Sequence, residues 1–298
     1  MQHVLTLIAG PPALGLDHHA VSALCKPLIE AGATVGSPIW LESGVACDIP
    51  FDGAEPAVAE RLVRDRAGAA PLDVAAQNAS GRRKMLLVAD MESTIVTGEL
   101  LDELAAVAGI SAQIVPITAR SMRGEIDFAQ SLRERVALLA GQPRTLLERV
   151  SEHIELMPGA LRLVRTMRGA GAYTALVSGG FDCFAAAVAK ECGFDEFQAN
   201  RLIIAGRQIT GCVAEPILDR NSKRVILERL AADCGIPLEA AAAVGDGAND
   251  IPMLQAAGLG VAFRGKPVVT AAARFRLEHS DLTGLLYLQG YHSHEFKE

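Results

Sequence analysis

Apolar positions follow two rhythms along the chain. Residues 3–9, 34–41, 45–49 and 72–76 read as strands, while Val21, Leu24 and Leu28 within 18–31, and the run 56–67, keep helical spacing. The order βαββαβ predicts a compact two-layer unit with a four-stranded antiparallel sheet. Ala75 to Lys84 is polar, carries Asn78, Ser80, Gly81 and the basic triplet Arg82–Lys84, and reads as a solvated interdomain linker. Met85 to Ala89 are then apolar without a break, as in a short strand buried on both faces.

From 98 to 157 the spacing is helical almost throughout, as in Leu100–Leu104–Val107, Phe128–Leu132–Val136 and Leu146–Val150. Beyond Gly159, strands and helices take turns. The strands are 174–177, 202–204, 212–214, 241–244 and 260–263; the helices are 181–192, 222–234 and 250–257. Such alternation predicts an α/β domain with a parallel sheet and helices on both faces. The expected domains are therefore 1–80 and 85–298, with the helical block at about 98–157 inserted after the first strand as a lid.

Composition narrows the field. A chain of 298 residues exceeds one typical core, in keeping with two domains. Half the residues are hydrophobic, but much of this is alanine, as in Ala240–Ala243, and no apolar stretch nears the roughly 18 residues of a membrane span. Val4–Ala9 is short, lacks a basic leader and meets Pro11-Pro12, so no signal peptide is expected. A net charge of -7, with one Trp, three Tyr and nine Phe, argues against a nucleic-acid surface. Six cysteines without a CxxC pair suit a reducing cytoplasm, and neither a disulfide framework nor a zinc site. The expectation is a soluble cytoplasmic protein with no membrane partner.

Two strands end in acid-rich turns. The strand 85–89 runs into Asp90-Met91-Glu92-Ser93-Thr94, and 241–244 runs into Gly245-Asp246-Gly247-Ala248-Asn249-Asp250. Each turn alone has an ordinary explanation, a polar loop or a helix N-terminal acid. In an open α/β sheet, however, ligands bind beyond the carboxyl ends of the strands. Two carboxylates brought within about 4 Å repel by roughly 4 kcal/mol at an effective dielectric of 20. A divalent cation relieves this, and an all-oxygen site with room for water and phosphate favours magnesium.

The order Asp90-x-Glu92-x-Thr94, Ser178-Gly179-Gly180, Lys223 at a helix start and Gly245-Asp246-Gly247-x-x-Asn249-Asp250 resembles the haloacid dehalogenase (HAD) superfamily. Within it, the stretches 98–103, 128–135, 177–182 and 199–202 resemble the phosphoserine phosphatase family, over roughly residues 85–285. The resemblance implies a HAD-like Rossmannoid sheet with a helical cap. The N-terminal unit resembles, in pattern and size, an ACT-type ferredoxin-like domain, a module that binds amino acids and pairs into dimers. A homodimer through residues 1–80 is the partner expectation.

The resemblance also implies roles. Asp90 is the expected nucleophile, forming an aspartyl-phosphate, and Glu92 the general acid and base; residues i and i+2 point the same way in extended backbone. The family usually has aspartate where this chain has Glu92. The extra methylene moves the carboxyl by ~1.5 Å, and a misplacement of about 1 Å can cost a hundredfold in rate unless another rotamer absorbs it. Asp90, Asp246 and Glu92, the last through its backbone carbonyl, are the implied Mg2+ ligands, with Asp250 adjusting the coordination sphere. Ser178 and the Gly179 amide would grip phosphate, Lys223 neutralise it, and Asn249 reach the substrate. Only the resemblance prefers Lys223 to adjacent Arg224. Glu99 and Arg135 in the lid would recognise the ammonium and carboxylate of phosphoserine. Thr94 is expected to orient Asp90, and Met122 and Phe128 to line the pocket or, more simply, to pack in the core.

The implied activity is magnesium-dependent hydrolysis of O-phospho-L-serine to serine and phosphate, the last step of serine synthesis. Two alternatives stay open. One is a related phosphomonoesterase or phosphotransferase acting on phosphohomoserine or a sugar phosphate. The other is an amino-acid sensor in which Glu92 has reduced catalysis to a vestige.

Overall fold

A computed structural model describes residues 1–11 and 15–298. The N-terminal part runs β1 (His3–Ala9), α1 (His18–Glu30), β2 (Thr34–Val35), β3 (Ile39–Glu42), β4 (Ala46–Asp52), α2 (Pro56–Ala67) and β5 (Leu72–Asn78). Its sheet is antiparallel, in the order β2-β4-β1-β5, with β3 also on β4. The expected four strands are thus five. Gly36-Ser37-Pro38 interrupts the segment expected at 34–41, and a proline has no N–H to give a ladder. The topology is that of a small ACT-like domain.

Alternation along these strands serves two interfaces. Leu5, Leu7, Ile49, Phe51 and Val74 pack with Val21, Leu28 and Val63 of α1 and α2. The intervening Ile8, Ala46 and Ala75 join the core of the second domain instead. The sheet is therefore buried on both faces.

That docking overturns the solvated reading of the basic triplet. Arg82 donates to Asp48 Oδ2 (2.5 Å), Thr6 Oγ1 (3.1 Å) and the Tyr287 and Leu288 carbonyls (3.1 Å each). Arg83 stacks on Tyr291 and pairs with Glu295 at 2.7 Å. Lys84 is buried and donates to the Gly81 and Glu239 carbonyls. Sequence pattern could not anticipate this, because every one of these acceptors except the Gly81 carbonyl is remote along the chain.

The second part begins with β6 (Leu86–Asp90), followed by the lid helices α3 (Leu100–Ala108), α4 (Ser111–Met122), α5 (Phe128–Ala137) and α6 (Thr145–Ser151). Next come α7 (Ala160–Gly169), β7 (Tyr173–Phe181), α8 (Asp182–Cys192), β8 (Glu196–Asn200), β9 (Leu202–Ala205), β10 (Gln208–Val213) and α9 (Arg220–Asp233). The chain closes through β11 (Ala241–Gly245), α10 (Ile251–Ala256), β12 (Leu259–Phe263), α11 (Pro267–Ala272), β13 (Phe275–Leu277) and α12 (Gly284–Leu288).

The main sheet is parallel, ordered β13-β12-β11-β6-β7-β8. Leu86, Leu87, Val88 and Ala89 are wholly buried, because helices cover both faces of this central strand. Two strands escape the sequence reading, polar β8 and three-residue β13. The segments at 202–204 and 212–214 lie outside the parallel sheet, as an antiparallel hairpin of β9 and β10. Among the described residues, no helix is long and apolar enough to cross a membrane.

Candidate active site

Register brings the chemistry together. Ala89 of β6 lies beside Val244 of β11, and Asp90 beside Val177 of β7. Asp90, Ser178 and Asp246 therefore leave three adjacent parallel strands at one edge, where helix dipoles and open backbone groups face a crevice.

Asp90 ends β6, buried, with Oδ1 accepting from the Met91 N–H at 2.8 Å. Lys223 on the first turn of α9 is 2% exposed, and its Nζ lies 2.6 Å from Oδ1 of both Asp90 and Asp250. Burial pulls the ammonium down, but the two carboxylates outweigh this and hold it above the ordinary lysine range. Burial and the nearby Asp250 push Asp90 upward, with Lys223 opposing them. Arg224 points elsewhere, to Glu228 at 2.7 Å, so the structure separates the two basic neighbours that sequence alone left equal.

Asp250 is fully buried and satisfied on both oxygens, by Lys223 and by the Gly247 N–H at 2.9 Å. A Cβ on Gly245 would strike the Asp250 carboxyl, so this glycine makes room for the site's own acid. Asp246 is 7% exposed, raised by burial and opposed by Lys266, whose Nζ lies 3.3 Å from its Oδ2. Oxygens of Asp90, Asp246 and Asp250 lie within 4.8 Å of one another.

This set fits a divalent cation. Three carboxylates face one buried lysine, and among the described residues Asp90 Oδ2 takes no hydrogen bond. Asp90 and Asp246 keep oxygens available, whereas Asp250 spends both on the protein. The Glu92 carboxylate lies outside the cluster.

Glu92 instead points toward the lid. Its Oε1 accepts from the Leu100 N–H, at the start of α3, at 2.9 Å. A Cβ on Gly180 would lie 3.1–3.2 Å from the Glu92 carboxyl, so Gly180 leaves the floor on which the longer side chain rests. Burial first, and then the Glu99 charge, push this carboxyl up to about 7. The turn carrying it is strained: Ser93 has φ 56°, a left-handed conformation that few non-glycine residues adopt.

Glu99 receives a hydrogen bond from Ser93 Oγ at 3.0 Å. Arg135 is half-buried on α5, close to Asp102, Glu92 and Glu99, and shares with them a cavity of about 220 Å³ above Asp90. Ser178 is buried, and its Oγ accepts from the Gly180 N–H at 2.9 Å, leaving its own proton to give. Asn249 lines this cavity and a second of about 520 Å³ that reaches Ser178 and Lys223.

One sequence expectation is revised. Thr94 is fully buried, but its hydroxyl has no hydrogen-bond partner among the described residues, so the Met91 N–H and Lys223 orient Asp90. Phe128 fills both expected places, packing against the core and lining the cavity, its ring 3.0 Å from where a Gly179 Cβ would sit. The Met122 side chain lies outside the described residues.

Sequence reasoning missed two contributors. Lys266 follows β12 at the same sheet edge as Asp246, a position that the edge rule itself could have flagged. Asn200, buried at the end of β8, donates to the Gly179 carbonyl at 2.8 Å and accepts from Leu218 N–H at 2.8 Å.

The chain is similar to known proteins. The haloacid dehalogenase-like hydrolase family matches residues 84–258. A Mycobacterium tuberculosis protein named phosphoserine phosphatase SerB2 is 47% identical over 209 residues, 70% of this chain. The match spans about half, 51%, of that relative's length. A Streptomyces coelicolor phosphoserine phosphatase is 38% identical over 290 residues, covering 96% of this chain and 70% of the relative. A solved structure described as a phospho-aspartyl intermediate analogue of phosphoserine phosphatase is 40% identical, with a TM-score of 0.64, over 69% of this chain and 98% of its own. The chain is an enzyme of the haloacid dehalogenase-like hydrolase family, in the branch of the phosphoserine phosphatases.

Proposed function

We propose that this protein hydrolyses O-phospho-L-serine to serine and phosphate with magnesium, through an aspartyl-phosphate on Asp90, and so completes a route to serine. One observation carries the reading. A buried aspartate with a free oxygen faces a cavity that also holds Glu99 and Arg135, opposite charges matched to an ammonium and a carboxylate.

In the proposed sequence, Oδ2 of Asp90 attacks phosphorus and the bond to the serine oxygen breaks. Glu92, pushed up to about 7, gives its proton to that oxygen. Serine leaves, and Glu92 takes a proton from the water that attacks the phosphorus, freeing Asp90. Ser178, the Gly179 amide and Lys223 hold the phosphoryl oxygens through both steps, with Asn249 reaching the substrate. Mg2+ held by Asp90, Asp246 and the Glu92 carbonyl, with Asp250 behind them, would neutralise the charge gathering on those oxygens. The lid closes to exclude bulk water.

Support for a working enzyme over a vestigial one comes from Glu92, anchored by Leu100 and raised into the range where an acid-base group serves at neutral pH. Phosphate release is measured on phosphoserine, phosphohomoserine and sugar phosphates, with EDTA and with magnesium restored. Release from phosphoserine that EDTA abolishes and Mg2+ restores supports the proposal; equal rates on sugar phosphates, or indifference to EDTA, would defeat it.

The homodimer we propose uses the β2–β3 side of the N-terminal sheet, where Ile39 is 50% exposed. On the opposite side, Arg274 donates to the Ala76 carbonyl of β5 at 2.7 Å, so that edge is occupied within the chain. Sedimentation of the wild type and Ile39→Lys tests this contact: a dimer that Ile39→Lys leaves intact would contradict it.

A further inference from the structure

We infer that Asp73, in the N-terminal sheet, is a positioning residue for the distant active site. Asp73 is 4% exposed, and its carboxylate faces the other domain. It accepts from three consecutive backbone N–H groups, Glu278 (2.7 Å), His279 (3.2 Å) and Ser280 (2.8 Å). A buried carboxylate held this way clamps the turn between β13 and α12, since losing it would strand three donors. Gly10 reinforces the contact: a Cβ there would lie 2.6–2.8 Å from His279.

The clamped turn supports two parts of the catalytic domain. The first is the lid hinge. The chain leaves the core at Ile95–Thr97 and returns at Glu155–Met157, with the two passes joined by Thr97 N–H to Glu155 O (3.0 Å) and Met157 N–H to Ile95 O (2.8 Å). Just beyond, the Pro158 carbonyl accepts from Leu282 N–H at 3.1 Å. Gly159, at φ 85°, has no room for a Cβ because Asp281, Leu282 and Thr283 lie 2.8–2.9 Å from that point.

The second is the loop after β12. Arg264 adopts φ 45°, a conformation that costs an ordinary residue about 1 kcal/mol or more. Its N–H donates to the Leu277 carbonyl at 2.8 Å, its Nη2 reaches Ser280 O at 3.5 Å, and its Nη1 lies 3.8 Å from Met157 Sδ. Two residues on, the Lys266 N–H donates to Asp246 O at 3.0 Å. Docking of the N-terminal sheet thus sets both the lid hinge and the backbone behind Asp246. Whatever displaces β5 from this turn lowers turnover without touching the cavity.

Hydrogen exchange by mass spectrometry on the full chain tests the coupling independently of activity. In Asp73→Asn, the segments 155–159 and 264–267 should exchange about fivefold faster than in the wild type. Arg274→Ala is the control, because Arg274 also ties the domains, through Glu60 and the Ala76 carbonyl, but does not touch the 278–280 turn. It should leave both segments at wild-type rates. Unchanged exchange in Asp73→Asn, or equal acceleration in Arg274→Ala, would overturn the inference. Should Asp73→Asn fail to fold, Gly10→Ala presses on the same turn and is held to the same outcomes.

The kinetic arm rests on the phosphoserine reading: kcat should fall about fivefold in Asp73→Asn with KM within twofold, and an unchanged kcat would count against a positioning role. A wild type inactive on phosphoserine would defeat that reading while leaving the exchange result to decide the coupling.

Discussion

Glu92→Asp is the informative perturbation, because it restores the residue usual in the family inside a site shaped for a longer one. Shortening by one methylene withdraws the carboxyl ~1.5 Å from a Leu100 N–H now 2.9 Å away. It also lifts the group off the space left by Gly180. A hydrogen bond to a charged acceptor contributes about 1.5–3 kcal/mol. Lost positioning of about 1 Å at a reacting group corresponds to roughly a hundredfold in rate. We therefore expect single-turnover phosphoryl transfer from phosphoserine to slow by ten- to a hundredfold in Glu92→Asp, and by about a thousandfold in Glu92→Gln, which has no proton to give.

The pH profile carries the sign. The donor works protonated, so wild-type transfer should fall as pH rises through about 7, the level to which burial and Glu99 raise Glu92. In Glu92→Gln that limb should vanish. Rapid-quench measurement of serine release from pH 5 to 9 gives all three curves. A Glu92→Asp enzyme as fast as the wild type, with an unmoved limb, would refute the claim that this site is built around glutamate.

Other outcomes follow from the same geometry. Lys223→Met leaves Asp90 and Asp250 without their shared cation, so thermal unfolding should report a loss of about 3–5 kcal/mol, and turnover should fall at least a hundredfold. Arg135→Ala should raise KM for phosphoserine by about a hundredfold while sparing p-nitrophenyl phosphate, which has no carboxylate to match; equal losses on both would place Arg135 outside recognition. Burial raises the thiols of Cys25 and Cys183 to about 11 and of Cys47 and Cys192 to about 12. The folded chain keeps these protons above pH ~8.5 while the unfolded chain releases them, so stability should fall between pH 8.5 and 11. Urea titrations across that range measure the slope, which Cys47→Ala should flatten.

Much of the catalytic fold was legible because strand ends in a parallel sheet must share an edge. Two acid-rich turns far apart along the chain could thus be placed together from the sequence alone. What periodicity could not reveal depends on partners distant in sequence. Arg82 looked solvated because Asp48 and the Leu288 carbonyl are remote along the chain. β8 was hidden because Glu196 and Gln198 are polar, their side chains bonded to each other and to Tyr173 and Arg229. Nor does the sequence show that Gly245 and Gly180 make room for Asp250 and Glu92, since each of those contacts is set by the fold.

The central claim is that Asp90 captures the phosphoryl group. Acid quench of the enzyme during turnover of ³²P-phosphoserine, followed by peptide mapping, tests it most directly. The account predicts label on the peptide containing Asp90, absent in Asp90→Asn together with turnover. Label on another residue, or an Asp90→Asn enzyme that releases phosphate at the wild-type rate, would contradict it.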